Sequence, residues 1–300
     1  VPRRPAKPAA LQRRVFRGAD AIRAGLITRD QLRSSAWRTI FRDIYVERDA
    51  TTSHRTRCIA ALAYLLPPEA VITGRSAALV HGVDLMPDGD PVEVLMPTPF
   101  GPIAGVKVLF GRAAEDDIHR RADRLRLASP RRTCWDLAQH LDAVEAVVYV
   151  DAMIARGLVT RAELEDYAWS RSGEKGWRKM LTAAQLADPA AQSPQESRLR
   201  VNLVLRGLPR PVTQHVISRD GHFVARVDLA WPDLKIAVEY DGRWHGDPAQ
   251  LDRDRARLNR ILGADWLVLH VTAKRLRDDL DGFVTELSAA IAARRARSAR

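Results

Sequence analysis

Residues 224–241, VARVDLAWPDLKIAVEYD, constrain the fold more than any other stretch: two runs of alternating small and branched apolar residues meet at a Pro-Asp pair. A period of two on either side of a turn signal predicts an antiparallel hairpin, with strands at 224–230 and 235–241. With Pro232 and Asp233 as the central pair of a tight turn, Trp231 faces Leu234, Asp228 lies opposite Ala237, and Arg226 lies opposite Glu239. Arg226, Asp228, Ala237, Glu239 and Asp241 then share one face, and Val227, Leu229, Ile236, Val238 and Tyr240 the other. A slip of one residue would divide the acids between the faces. Asp228 and Glu239 become diagonal neighbours, and carboxylates so placed repel unless a cation sits among them. An oxygen-only set suits Mg²⁺ or Mn²⁺, with Asp228, Glu239 and Asp241 as metal ligands. The structural alternative pairs Arg226 with Glu239 across the strands and lets Asp241 and Gly242 end the second strand.

Flanking segments extend this pattern. SPQESRLRVNLVLRG predicts a helix with Ser193 as N-cap, Pro194 in the first turn and Glu196 at the third position. Glu196 can close a capping box or reach the acidic cluster, and the sequence leaves both open. After RWHG, Asp247 and Pro248 open a second helix with Leu251, Leu258, Ile261 and Leu262 on its apolar face, ending at Gly263 before a strand. Arg253 and Arg257 on this helix, with Arg243 before it, could hold a phosphate backbone over the acids. Alternatively, the alternating charges of the helix pair among themselves.

Charge is unevenly spread along the 300 residues: the formal net charge is +11, with +9 in residues 1–60, −3 in 61–190 and +5 in 191–300. Basic ends are the footprint of a polyanionic partner or of solvated surface. At 46% hydrophobic content the chain can build a sizeable core. Cys58 and Cys134 form no metal or disulfide pattern, and no apolar run approaches ~18 residues. The opening VPRRPAKPAALQRR has no hydrophobic segment behind its charges, so a cytoplasmic protein is expected.

The first 60 residues predict a short helix ending at Gly25, a second helix capped by Thr28 and carrying Gln31, Leu32 and Arg33, and a strand at TIFRDIYV. That order fits a winged helix-turn-helix, with Arg29, Gln31, Arg33, Arg38 and Arg42 as the DNA contacts, or else a small helical cap with a solvated basic face. In the middle, CIAALAYLL predicts a helix stopped by Pro67 and Pro68. VEVLMP and VKVLFG predict strands, and residues 131–158 a helical stretch ending near Gly157. His81 and His119 are isolated and read as structural, and Trp135 and Leu137 as core. ADPAAQSPQ (187–195) has the composition of a linker.

Two resemblances follow from these motifs. The helix-helix-strand start, GRSAALVHG with VEVLMP, and SPRRTCWDLA with GLVTRAEL resemble AbiEi-type antitoxins of type IV toxin-antitoxin systems over residues ~15–185. This implies a winged-helix DNA-binding module with a companion domain, transcriptional autoregulation, and a cognate toxin as a further partner. Residues ~192–290 resemble the PD-(D/E)XK nuclease superfamily, most of all its very-short-patch-repair branch. VEYDGRWH is the most specific piece. Asp228 matches the motif Asp, Glu239 the second acid, and Glu196 the acid that some members carry on the first helix. Asp241 stands where the motif has Lys; the short-patch-repair branch lacks that Lys too and uses a histidine nearby, for which His245 is the candidate.

The expectation is an α+β or α/β multidomain chain. It would have a winged helix-turn-helix at 1–60, an α/β companion domain at 61–186 and a restriction-endonuclease-like mixed sheet flanked by helices at 192–300. Its expected activity is metal-dependent hydrolysis of DNA, duplex first, with Glu196, Asp228, Glu239, Asp241 and His245 as the catalytic set. The alternative is a non-catalytic DNA-binding regulator that keeps the nuclease-like domain as a scaffold.

Overall fold

Residues 7–120, 125–241 and 257–298 are described by the computed structural model, and the chain divides between His140 and Leu141 into two units. In the first unit, β1 (Phe16–Arg17), β2 (Trp37–Phe41) and β3 (Ile44–Glu47) form an antiparallel sheet of order β1-β3-β2 beside two short helices, α1 (Gly18–Arg23) and α2 (Arg29–Leu32). Thr28 and Gln31 make a full capping box, yet α2 has only four residues. TIFRDIYV is a hairpin rather than one strand: Asp43 takes φ +59° at its turn, and its carboxylate accepts the Ala19 N–H at 3.3 Å.

The rest of this unit is α3 (His54–Tyr64), β4 (Val71–Ile72), α4 (Gly74–Val80), β5 (Val92–Met96), β6 (Val106–Phe110), β7 (Ile118–Arg120), β8 (Arg126–Ala128) and α5 (Pro130–His140). Its strands make a mixed sheet of order β6-β5-β4-β8-β7. Phe41 and Ile44 of the small sheet enter the same apolar cluster as Ile72, Val94 and Leu127 of the large one, so residues 1–60 and 61–140 share a core. His81 and His119 meet edge to face at 6.3 Å, and His81 bonds the Ala128 carbonyl. Cys58 and Cys134 are free, and burial pushes both thiols up to about 12.

The predicted helix at 131–158 is two helices. Asp142 caps α6 (Ala143–Ala155) by accepting the Glu145 N–H at 2.9 Å, and that break is also where the units divide. Next come α7 (Arg161–Trp169), α8 (Trp177–Leu186) and α9 (Pro194–Leu205), then β9 (Val212–Arg219), β10 (His222–Trp231) and β11 (Ile236–Asp241). A helical segment at 257–263 (α10), β12 (Leu267–Thr272), α11 (Ala273–Asp278) and α12 (Leu280–Ser298) complete the unit. The sheet order is β12-β11-β10-β9: an antiparallel meander of three strands with β12 added parallel to β11. Leu229, Trp231, Ile236 and Val238 pack with α9 and α12, while Ala225, Val227, Ala230 and Ala237 pack with Ile261 and Trp266.

Segment 187–195 does not hang free as its composition suggests. Asp151 of α6 accepts the Asp188 N–H at 2.7 Å, the Ser197 hydroxyl at 2.6 Å and the Arg200 guanidinium at 2.7 Å, while Thr213 bonds the Asp188 carboxylate at 2.7 Å. α6 and the segment after α8 are thereby tied to α9 and β9. No helix among the described residues is long and apolar enough to cross a membrane.

Candidate functional site

The hairpin forms as the pattern predicts, but two residues out of register. Trp231 pairs with Ile236 and Leu229 with Val238, because Pro232–Leu234 make a turn of 3-10 helix and Lys235 takes φ +49°. A shift of two preserves the alternation of faces, which is why Leu229, Ile236, Val238 and Tyr240 share one cluster as expected. Val227 does not join them and packs on the other side with Ala230 and Ala237. The alternation breaks at Asp228. There the β10–β11 ladder stops, and the Asp228 carboxylate accepts the Tyr240 N–H at 2.8 Å, taking the place of a strand carbonyl.

Three carboxylates from three elements converge at this opening. Glu196 comes from α9, Asp228 from β10 and Glu239 from β11; Glu196 is 7% exposed and Glu239 8%. Ser193 caps α9 by accepting the Glu196 N–H, but Glu196 returns no bond to Ser193. Its Oε2 accepts the Gln192 N–H at 2.9 Å, one residue before the cap, and the Gln214 side-chain amide at 2.8 Å. The same Gln214 Nε2 reaches Asp228 Oδ1 at 3.2 Å. Burial pushes the Asp228 carboxyl above its ordinary range; the Tyr240 N–H opposes this, and the negative charges of Glu196 and Glu239 reinforce it.

Among the described residues, one guanidinium bonds to these acids. Arg257 bonds both oxygens of Glu239, one of them at 2.8 Å, and donates to the Arg226 carbonyl at 2.6 Å. The pairing of Glu239 with an arginine therefore occurs through Arg257 and not Arg226, whose own guanidinium reaches Gln192 Oε1 at 3.2 Å. Arg257 serves a carboxylate here where a phosphate contact was expected. Asp241 ends β11 and accepts from His270 Nδ1 at 3.2 Å, both side chains being partly exposed. His270 pairs with Glu239 along the parallel ladder, which puts its side chain on the face of Glu239 and Asp241.

The chemistry of the set suits a hard divalent cation. The donors are all oxygen, the formal charge of Glu196, Asp228 and Glu239 exceeds that of Arg257, and among the described residues Asp228 shares no bond with a cation. As arranged, Arg257 holds the cation position at Glu239, and no group of three or more His, Cys, Asp and Glu side chains among the described residues is set to hold an ion.

Of the predicted DNA contacts, Arg29, Arg33 and Arg42 are exposed. Gln31 is engaged in the Thr28 capping box. Arg38 is half-buried and engaged within the chain, bonding the Arg48 and Ala50 carbonyls and the Thr52 hydroxyl. His245, Arg243 and Arg253 lie outside the described residues, as does the expected helix start at Asp247 and Pro248. Gln214, Arg257 as a carboxylate partner, and His270 were not anticipated. The acids alone carried a sequence signal, since a glutamine in TQHV and a histidine in WLVLHV look like ordinary strand residues.

No protein-family model matches the chain, and no solved structure matches it significantly. Two proteins of Mycobacterium tuberculosis are similar to it: uncharacterized protein MT2308 of strain CDC 1551 / Oshkosh and uncharacterized protein Rv2248 of strain ATCC 25618 / H37Rv. Each is 30% identical over 223 residues, which cover 73% of this chain and 80% of the relative.

Proposed function

The chain belongs to the family of the Mycobacterium tuberculosis proteins MT2308 and Rv2248, whose names state no activity, and from the site itself we propose a metal-dependent DNA endonuclease of the PD-(D/E)XK type. The observation that carries this reading is the convergence of Glu196, Asp228 and Glu239 where β10 and β11 part. A meander of three strands with a parallel fourth, preceded by a helix that delivers an acid, supports it.

Asp228, Glu239 and Asp241 would hold Mg²⁺ or Mn²⁺, which when bound supplies Lewis-acid polarisation of the phosphoryl oxygen and a lowered pKa for the attacking water. The chain's own residues do the rest. Gln214, braced on Glu196, and the Tyr240 N–H hold Asp228 in place, Arg226 offers positive charge to the phosphate, and His270 relays a proton with Asp241 behind it. His245 keeps its proposed proton-carrier role. Arg29, Arg33 and Arg42, in the segment that carries +9, would give duplex affinity without taking part in hydrolysis.

Supercoiled plasmid is the direct substrate. Nicking should require Mg²⁺ or Mn²⁺, stop with EDTA, and be lost in Asp228→Ala. Wild-type cleavage by that variant would sink the assignment. One observation favours a second reading, a DNA-binding regulator with a silent nuclease-like scaffold and, as for an antitoxin, a cognate toxin as partner: Glu239 already has its counterion in Arg257. That reading expects duplex binding with no nicking under any metal.

A further inference from the structure

Gln214 takes a backbone conformation foreign to a strand. It lies within β9 between Thr213, paired with Leu229, and His215, paired with Val227, so it falls opposite Asp228. Yet its φ is +53°, the left-handed region that residues with a Cβ rarely adopt and glutamine has no special aptitude for. The Cα partners keep register on both sides, and the conformation falls where the faces of β10 exchange between Val227 and Leu229. The side chain shows what this kink serves. A primary amide carries two N–H donors on one nitrogen, and Nε2 spends them on two carboxylates from different elements, Glu196 Oε2 at 2.8 Å and Asp228 Oδ1 at 3.2 Å. The reversed amide would set its oxygen against both acids, which fixes the orientation.

We propose that Gln214 is a positioning residue: its carboxamide ties Glu196 of α9 to Asp228 of β10 and so fixes the Asp228 carboxylate for the divalent cation that Asp228, Glu239 and Asp241 would hold. The cation rests on the endonuclease reading above; the tie rests on geometry alone. Without the amide, two like charges from separate elements face each other with only the Gln192 and Tyr240 backbone N–H groups to hold them. The strain at residue 214 is then retained for the site, as backbone strain at functional positions commonly is.

Two substitutions separate backbone from side chain. Gln214→Gly suits φ +53° and removes the amide; Gln214→Asn also tolerates that φ but is one methylene too short to bridge both acids. On the full-length protein, Mn²⁺ affinity is measured by calorimetry, and solvent exchange of the Gln214 side-chain amide protons by NMR on the metal-free wild type. Both variants should still unfold cooperatively while binding Mn²⁺ about 10- to 100-fold more weakly, the range for residues that orient metal ligands. The Gln214 amide protons should exchange far more slowly than those of an exposed glutamine. Amide protons that exchange like an exposed glutamine's overturn the tie. Unchanged Mn²⁺ affinity in both variants overturns the positioning role and leaves the metal site standing. A wild type that takes up no Mn²⁺ overturns the metal reading, and the amide exchange still decides whether the tie exists.

Discussion

Asp228 sits where burial and two neighbouring acids work against its charge, and this has a consequence for stability with pH. Its carboxyl titrates above the ordinary aspartate value of ~3.9, so the folded state prefers the protonated form. The stability this contributes is complete below the ordinary pKa and is lost as pH rises through the raised one. At neutral pH the ionised side chain therefore works against folding. Asp228→Asn, which can still accept the Tyr240 N–H, should raise the melting temperature of its unit at pH 7 by about 2–4 °C, the scale of ~1 kcal/mol in a unit of this size, with the gain vanishing near pH 3. Thermal scans of both proteins at the two pH values check this, and a gain that persists at pH 3 would mean that charge is not the cause. At this scale the sequence showed the acids, because acids inside strand-like runs demand an explanation. It did not show Gln214 or Arg257: no propensity marks a left-handed glutamine, and Arg257 stands among alternating charges that could pair in many ways.

Elements were legible where local chemistry sets them. Thr28, Ser193 and Pro67 mark helix ends from the residues alone, and the two-residue period marks the hairpin. The register was not legible, since the turn took four residues with Lys235 left-handed, where Pro-Asp suggested two. The linker at 187–195 misled because composition does not reveal that an acid on another helix holds it. Asp151 carries that burden: Arg200 is fully buried against it, and burial pushes the Asp151 carboxyl up even though Arg200, Ser197 and Asp188 pull it down. Asp151→Ala would leave Arg200 buried with the Leu186 carbonyl as its remaining described acceptor, a loss of about 3–5 kcal/mol by the usual scale for a broken buried pair. Denaturant unfolding of the C-terminal unit should show it, whereas a loss below ~1 kcal/mol would place Asp151 outside the unit's essential contacts.

At the scale of the whole molecule, the division between His140 and Leu141 says where the chain can be cut. A fragment of residues 1–140 should bind duplex DNA with affinity that falls steeply with salt, because it keeps the +9 segment. A fragment of residues 141–300 should fold cooperatively and retain the site. Residues 190–300 should not fold so, because that cut deprives Ser197 and Arg200 of Asp151; circular dichroism melts of the two C-terminal fragments test this, and equal cooperativity would refute it. The parallel pairing of β12 has a kinetic side as well. β9, β10 and β11 close through short connections, but 25 residues separate β11 from β12, and Arg257 lies within that interval. Closing the longer interval is the slower event. In refolding, amides of the three-strand meander should gain protection from pulse-labelled exchange before those of β12. A newly made chain would thus bring Asp228 and Glu239 together first and receive the arginine that neutralises Glu239 only afterwards.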